Sequence, residues 1–307
     1  MVTGYIKFNI LRIRRENLLK TKEFYTEICG MKYSMETCVD HTKYPFSWHD
    51  NSLHIFTYDK RGTSEATGVC FLIDDNFQTT HKNSGYWKIG FSLRDVNAAA
   101  ECFRSHGYKV NNGEQFYDVG FLTSLSDPNG YSIELLQHDF ESNFVKPMSN
   151  EGFLSQPMDL QSTIGQITIR CTDARRTCEF YQSVLGMKLL CIEQPANKLP
   201  FTLYFFAYTN DDPPSKELSG IDNREWLYKK GYCQIEIQHR HTLPKDFKYY
   251  VSDDNLENIK IGHLGFSVAV YRRLYEQIRL NANVVDAYED FCFIKDPDGY
   301  VIQVISI

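Results

Sequence analysis

Residues 295–307 read KDPDGYVIQVISI, and residues 126–137 read SDPNGYSIELLQ. A chain that writes one phrase twice, about a domain length apart, contains an internal repeat, and repeats decide architecture before any local reading. Within the phrase, Pro fixes φ at the first corner of a turn. Asp can accept from backbone N–H groups ahead, and Gly takes the positive φ. The phrase is expected as a hairpin turn between the third and fourth strands of a unit. It marks fold and by itself carries no chemistry.

The repeat extends upstream. QITIRCTDARRTCEFYQSVLGMKLL (166–190) has its counterpart in NILRIRRENLLKTKEFYTEICGMKY (9–33), each reading as a short strand, a helix and a Gly-Met stop. Phe180, Val184 and Leu185 fall on one apolar helical face, and Gly186 suits the left-handed residue that ends the helix. Alternating strands follow: FTLYFFAY (201–208) is matched by LHIFTYDK (53–60), and YCQIEIQH (232–239) by GVCFLID (68–74). Each half holds one more unit, opening with YWKIGFSLRDVNAAAECFRSHGYKV (86–110) and IGHLGFSVAVYRRLYEQIRLNANVV (261–285). Four βαβββ modules are counted, starting near residues 5, 86, 164 and 261. The expected fold class is α+β, with the modules forming two curved half-barrel mixed sheets. Pro, Ser and Asn in the stretch 138–163 mark a link between halves. The expected domains are 1–140 and 164–307, joined by a linker over 141–163.

The whole-chain numbers narrow the function. A net charge near −6 offers no basic stripe, so nucleic acid is not an expected partner. No apolar run reaches membrane-helix length, and the charged N-terminal stretch is unlike a signal peptide. Nine cysteines without a CxxC pair read as reduced thiols, Cys171 and Cys178 among them. The reading is a cytosolic monomer acting on a small molecule. His239 and His241, at the end of one strand, read as surface residues.

With four modules and the segments FYQSVLGMKLL, FTLYFFAY, QIEIQH, IGHLGFSV and FIKDPDGYVIQV, the chain resembles the glyoxalase I (lactoylglutathione lyase) family in its tandem, double-length form, within the vicinal oxygen chelate superfamily. The resemblance implies isomerisation of the hemithioacetal of glutathione and methylglyoxal, a route of methylglyoxal detoxification. It also implies a divalent metal, Zn²⁺ or Ni²⁺, held by Gln and Glu of one module and His and Glu of another, with a Glu moving the proton.

Carried over residue by residue, the metal positions of the second half are Gln166, Glu236, His263 and Gln303. The last is an amide, which can coordinate but cannot accept a proton. In the first half the same positions fall at Ile10 (Asn9 if the alignment slips by one), Phe71, Lys88 and Glu134, so Glu134 is the catalytic candidate. The family's carboxylate-binding Arg matches Arg170. An Asn of the family becomes Arg240, and a basic position becomes Ile259.

Two arrangements of the modules remain open. Crosswise pairing, first with fourth and second with third, collects Gln166, Glu236, Glu134 and Lys88, and sets Ile10 and Phe71 beside His263 and Gln303. Pairing of neighbours collects Gln166, Glu236, His263 and Gln303. In the crosswise case a charged Lys88 is expected to pair with Glu134 or Glu236 and take the metal's place. The function read from this is a glyoxalase I-like lyase with an incomplete ligand set. The alternatives are a non-catalytic or repurposed paralogue that binds a small metabolite, and an Fe²⁺ extradiol dioxygenase.

Overall fold

A computed structural model describes residues 4–37, 52–58, 66–75, 83–145, 162–195, 199–249 and 265–307. The first module contributes strands β1 (Gly4–Ile13), β2 (Lys32–Thr37), β3 (Ser52–Thr57) and β4 (Gly68–Ile73). The second contributes β5 (Tyr86–Leu93), β6 (Glu114–Phe116), β7 (Gly120–Ser126) and β8 (Ser132–Gln137). The third contributes β9 (Thr163–Cys171), β10 (Lys188–Glu193), β11 (Phe201–Ala207) and β12 (Gln234–Arg240). The fourth contributes β13 (Gly265–Val270), β14 (Asn283–Ala287), β15 (Phe291–Lys295) and β16 (Val301–Ser306). A helical segment follows the first strand of every module. The fold is α+β, and the strands form two eight-stranded mixed sheets, one of them a curled half-barrel.

Strand order settles the pairing. One sheet runs β14-β15-β16-β13-β1-β4-β3-β2, joining the first and fourth modules; the other runs β10-β11-β12-β9-β5-β8-β7-β6, joining the second and third. The seams are antiparallel, β1 against β13 and β5 against β9. Pairing is crosswise, and each sheet takes strands from both halves of the sequence.

Period-two alternation explains which side chains meet where. In β12, Ile235 and Ile237 enter the main core while Gln234, Glu236 and Gln238 take the other face; in β9, Ile167 and Ile169 do the same opposite Gln166, Thr168 and Arg170. In β8, Ile133 and Leu135 face the core and Glu134 turns away from it. The main core joins both sheets with their helices, so these strands are buried on both faces.

Both repeated phrases form the expected turns. Gly130 and Gly299 have φ of 86° and 96°. Asp127 Oδ1 accepts from the backbone N–H of Asn129 and Tyr131, and Asp296 Oδ1 from those of Asp298 and Tyr300. The turns also fasten one sheet to the other. Tyr131 donates to the Arg12 carbonyl at 2.8 Å, and Tyr300 to the Arg170 carbonyl at 3.0 Å. Tyr25 donates to Asp127 and Tyr181 to Asp296, both at 3.2 Å.

The helix expected around Phe180 turns out to be α1 (Ala174–Glu179) followed by a π-helical turn, Phe180–Val184. The wider turn buries Tyr181 completely, whereas Phe180 and Val184 only pack against the core edge. Gly186 ends the segment at φ 68°, as expected. The eight described cysteines are free thiols, Cys171 buried and Cys178 half-buried. Among the described residues no helix is long and apolar enough to cross a membrane.

Candidate active site

Four adjacent strands, β12, β9, β5 and β8, form the middle of the second sheet, and one face of them carries the polar groups. Cross-strand register places Glu236 beside Thr168 and Thr168 beside Lys88; in the next row, Gln166 stands beside Gly90 and Gly90 beside Glu134. Gly90 is needed there, because a methyl group at that position would collide with Cγ of Gln166.

These side chains form one connected network. Lys88 Nζ lies 2.5 Å from Glu134 Oε2 and 3.7 Å from Glu236 Oε2. Gln166 Nε2 donates to Glu134 Oε1 at 2.9 Å and to Glu236 Oε2 at 2.7 Å. Thr168 Oγ1, which no sequence motif marks, donates to Glu236 Oε2 at 2.7 Å. Glu236 Oε1 is buried and has no hydrogen-bond partner. The network lines a cavity of about 210 Å³ whose remaining walls are mostly apolar, including Trp87, Phe116, Leu203, Phe205 and Tyr228.

Electrostatics bind the charges to each other. Burial opposes the charge on Lys88, but Glu134 and then Glu236 outweigh it and hold Lys88 above the ordinary lysine range. Burial raises Glu236, with Lys88 working against that rise and Glu134 adding to it. The Arg170 guanidinium and the Lys88 ammonium lie over the Trp87 ring, at 4.8 and 4.4 Å from its centroid. Arg170 Nε donates to Gln238 Oε1.

A second buried acid stands behind this network. Glu193, at the end of β10, contacts the Tyr228 hydroxyl at 2.8 Å, and that hydroxyl also lies 2.5 Å from the Val119 carbonyl. A tyrosine carries one proton. When it goes to Val119, the Glu193 contact needs a proton from the carboxyl group. Burial pushes Glu193 up to about 8, against the pull of Arg224 and the Tyr228 hydrogen bond. Tyr228 and Arg224 stand on α2 (Asp222–Tyr228), a helix inserted between β11 and β12. No counterpart of this helix was legible in the repeat.

The residues expected at a site therefore divide. Glu134, Gln166, Glu236 and Lys88 meet, and Arg170 lies beside them. Gln303 does not: it belongs to β16 of the other sheet, because the third module pairs with the second and not with the fourth. His263 and Ile259 lie outside the described residues. In the other sheet Ile10 takes the Gln position, pairing with Gly265 and Cys70 as Gln166 pairs with Gly90 and Gln234. Asn9 faces the other way and donates to Tyr86. The same register makes Leu72, not Phe71, the counterpart of Glu236; Phe71 alternates into the core against Tyr25 and Phe56. Ile10, Leu53, Ile55, Leu72, Phe293 and Val301 fill that cleft with hydrocarbon. His239 and His241 lie at the end of β12, half-buried and exposed, and His241 contacts Thr202.

A divalent metal does not fit this network. Its donor set is two carboxylates, a carboxamide and an ammonium that has no lone pair to give. Among the described residues no three His, Cys, Asp or Glu side chains group as a metal centre.

Crosswise pairing of βαβββ modules around a polar cleft defines the class. The chain belongs to the Glyoxalase/Bleomycin resistance protein/Dioxygenase superfamily, whose model matches residues 7–135 and 163–304. Within that class it is glyoxalase I-like. It is 25% identical to glyoxalase I of Saccharomyces cerevisiae, over 95% of this chain and 90% of the relative. It is also 25% identical to lactoylglutathione lyase of Schizosaccharomyces pombe, over 98% and 96%. The crystal structure of glyoxalase I from Zea mays superposes with a TM-score of 0.68 at 16% identity, covering 99% of this chain and 93% of that one.

Proposed function

We propose that the protein is a glyoxalase I-like lyase whose cleft takes the hemithioacetal of a small 2-oxoaldehyde and a thiol such as glutathione, and isomerises it to the 2-hydroxyacyl thioester. The observation that carries this reading is the meeting of Glu134, Gln166 and Glu236, from two modules, on one face of the central strands. Glu134 takes the proton from the hemithioacetal carbon and returns it to the neighbouring one, a transfer worth roughly 10²–10⁴ in rate. The apolar walls suit the aldehyde-derived end, and Arg170, which lies over the ring of the cavity-lining Trp87, is the cation assigned to the thiol portion of the substrate. The site needs both halves of the chain.

One contact favours a second reading. Lys88 holds Glu134 at 2.5 Å, so a cleft that binds the conjugate without turning it over is also consistent with the geometry. The deciding measurement is thioester formation from methylglyoxal and glutathione, followed in the ultraviolet, beside calorimetric titration with a non-reactive S-alkyl glutathione. Turnover that falls at least about 100-fold in Glu134→Gln is the expected result. Binding without turnover would leave the second reading; neither binding nor turnover would remove both.

A further inference from the structure

We infer that Lys88 is the cleft's own cation: it stands in for a divalent metal, and its ammonium receives the substrate oxygen on which negative charge develops. This rests on the reading of the cleft as a proton-transfer site.

The geometry assigns the role by counting donors and acceptors. An ammonium has three N–H groups. Lys88 gives one to Glu134 at 2.5 Å, while Glu236 at 3.7 Å is an ion-pair neighbour beyond hydrogen-bond reach. The Trp87 ring and Glu236 flank the ammonium, and neither takes a conventional hydrogen bond from it, which leaves Lys88 donor capacity for a ligand in the cavity that it lines. Of the four carboxylate oxygens, three are already bonded by Lys88, Gln166 and Thr168. The fourth, Glu236 Oε1, is buried and lacks a donor. The cleft thus offers a spare donor on Lys88 and one spare acceptor on Glu236. A small molecule with a carbonyl and a hydroxyl on adjacent carbons satisfies both, its carbonyl oxygen on Lys88 and its hydroxyl on Glu236.

Site charge agrees. Two carboxylates and one ammonium sum to one negative charge, which a neutral ligand enters without further cost. A metal ion bridging Glu134 and Glu236 would have to displace the ammonium already lodged between them. In a mostly apolar cavity such a fixed cation acts strongly on charge that appears only during reaction.

The step balances without any external oxidant or reductant. Glu134 removes the proton from the hydroxyl-bearing carbon, that C–H pair becomes the carbon–carbon double bond, and the carbonyl π pair moves onto the oxygen held by Lys88. Glu134 then returns its proton to the former carbonyl carbon. The hydroxyl proton passes to Glu236, Lys88 supplies the proton taken up by the second oxygen, and the Lys88–Glu236 pair resets. The first carbon is oxidised to a thioester and the second reduced to an alcohol.

The test has a metal arm and a turnover arm. Wild-type protein dialysed against micromolar Zn²⁺ or Ni²⁺ is expected to retain well under one equivalent in the cleft by mass spectrometry. Lys88→His, which replaces a repelling cation by a ligand, is expected to bind one equivalent at least about 100-fold more tightly, and Glu236→Gln in that background to lose it. Turnover by the wild type is expected to survive a chelator. One wild-type equivalent that disappears in Glu236→Gln, or turnover abolished by chelator and restored by metal, would overturn the assignment. The wild-type arm needs no variant to fold. Absence of all turnover would sink the isomerase reading, while the metal measurement would still decide the role of Lys88.

Discussion

Replacing Glu193 with Gln isolates a single buried proton. The ordinary value for this side chain is 4.5 and its folded value is about 8, with burial as the leading cause. A carboxyl raised in the folded state favours folding below its ordinary pKa and loses that contribution as pH rises towards the folded value. Between those limits the unfolded chain has released the proton and the native chain has not, and each pH unit costs about 1.4 kcal/mol. Integrated from pH 5 to pH 8, the loss is about 3 kcal/mol, an order-of-magnitude figure. Gln stays neutral throughout and can donate to Tyr228 as the protonated acid does. Urea unfolding of both proteins at pH 5, 6.5 and 8, followed by circular dichroism, should show Glu193→Gln gaining about 3 kcal/mol on the wild type across the series. Asp127 and Asp296 are also raised by burial, to about 6 and about 7, but they are shared by both proteins and cancel. A difference that stays flat from pH 5 to pH 8 would refute the neutral Glu193 and the proton count around Tyr228.

Removing the cation, Lys88→Met, should cost about 3 kcal/mol or more at neutral pH, since two buried carboxylates lose their partner. Denaturant midpoints should show that loss shrinking on acidification. Gly90→Ala should push Gln166 off Glu134 and Glu236, lowering turnover by about tenfold or more while the melting temperature moves only a few degrees. A turnover number equal to wild type would show that Gln166 need not stay where it is. Tyr131→Phe should cost about 1–2 kcal/mol in urea titrations, because the Arg12 backbone N–H and carbonyl each lose a hydrogen bond to the other sheet.

Much of the fold was legible because repetition is a long-range signal. The DPxGY turns and the Gly-Met stops fixed four modules, and alternation in QIEIQ already separated Glu236 from the isoleucines that enter the core. Pairing of the modules was not legible locally, since β5 could zip to β9 or to another edge with equal hydrogen bonding. Only the assembled sheet separates Gln303 from Gln166. A one-residue slip in a buried strand turns every side chain over, which is why Phe71 was read where Leu72 stands. Thr168, Glu193 and Tyr228 carry no signal of their own in the sequence. Thr in a strand reads as ordinary β propensity, and the helix carrying Tyr228 interrupts the repeat. The tyrosine of the repeated phrase looked like a turn residue, yet Tyr131 and Tyr300 tie sheet to sheet.

The seams also set an order of events at the ribosome. When the first half has been synthesised, β1 and β5 each have only one of their two eventual neighbours. Their second neighbours, β13 and β9, arrive far later in the chain. For that interval the nascent protein presents two open edges, flanked by strands as apolar as GVCFLI, with no native partner to cap them. β9 arrives first and closes the β5 edge that carries Lys88, while β1 waits for β13. The sheet with the polar cleft therefore completes before the hydrocarbon-filled one, and the long-open β1 edge is where chaperone capture or misassembly between two chains would begin.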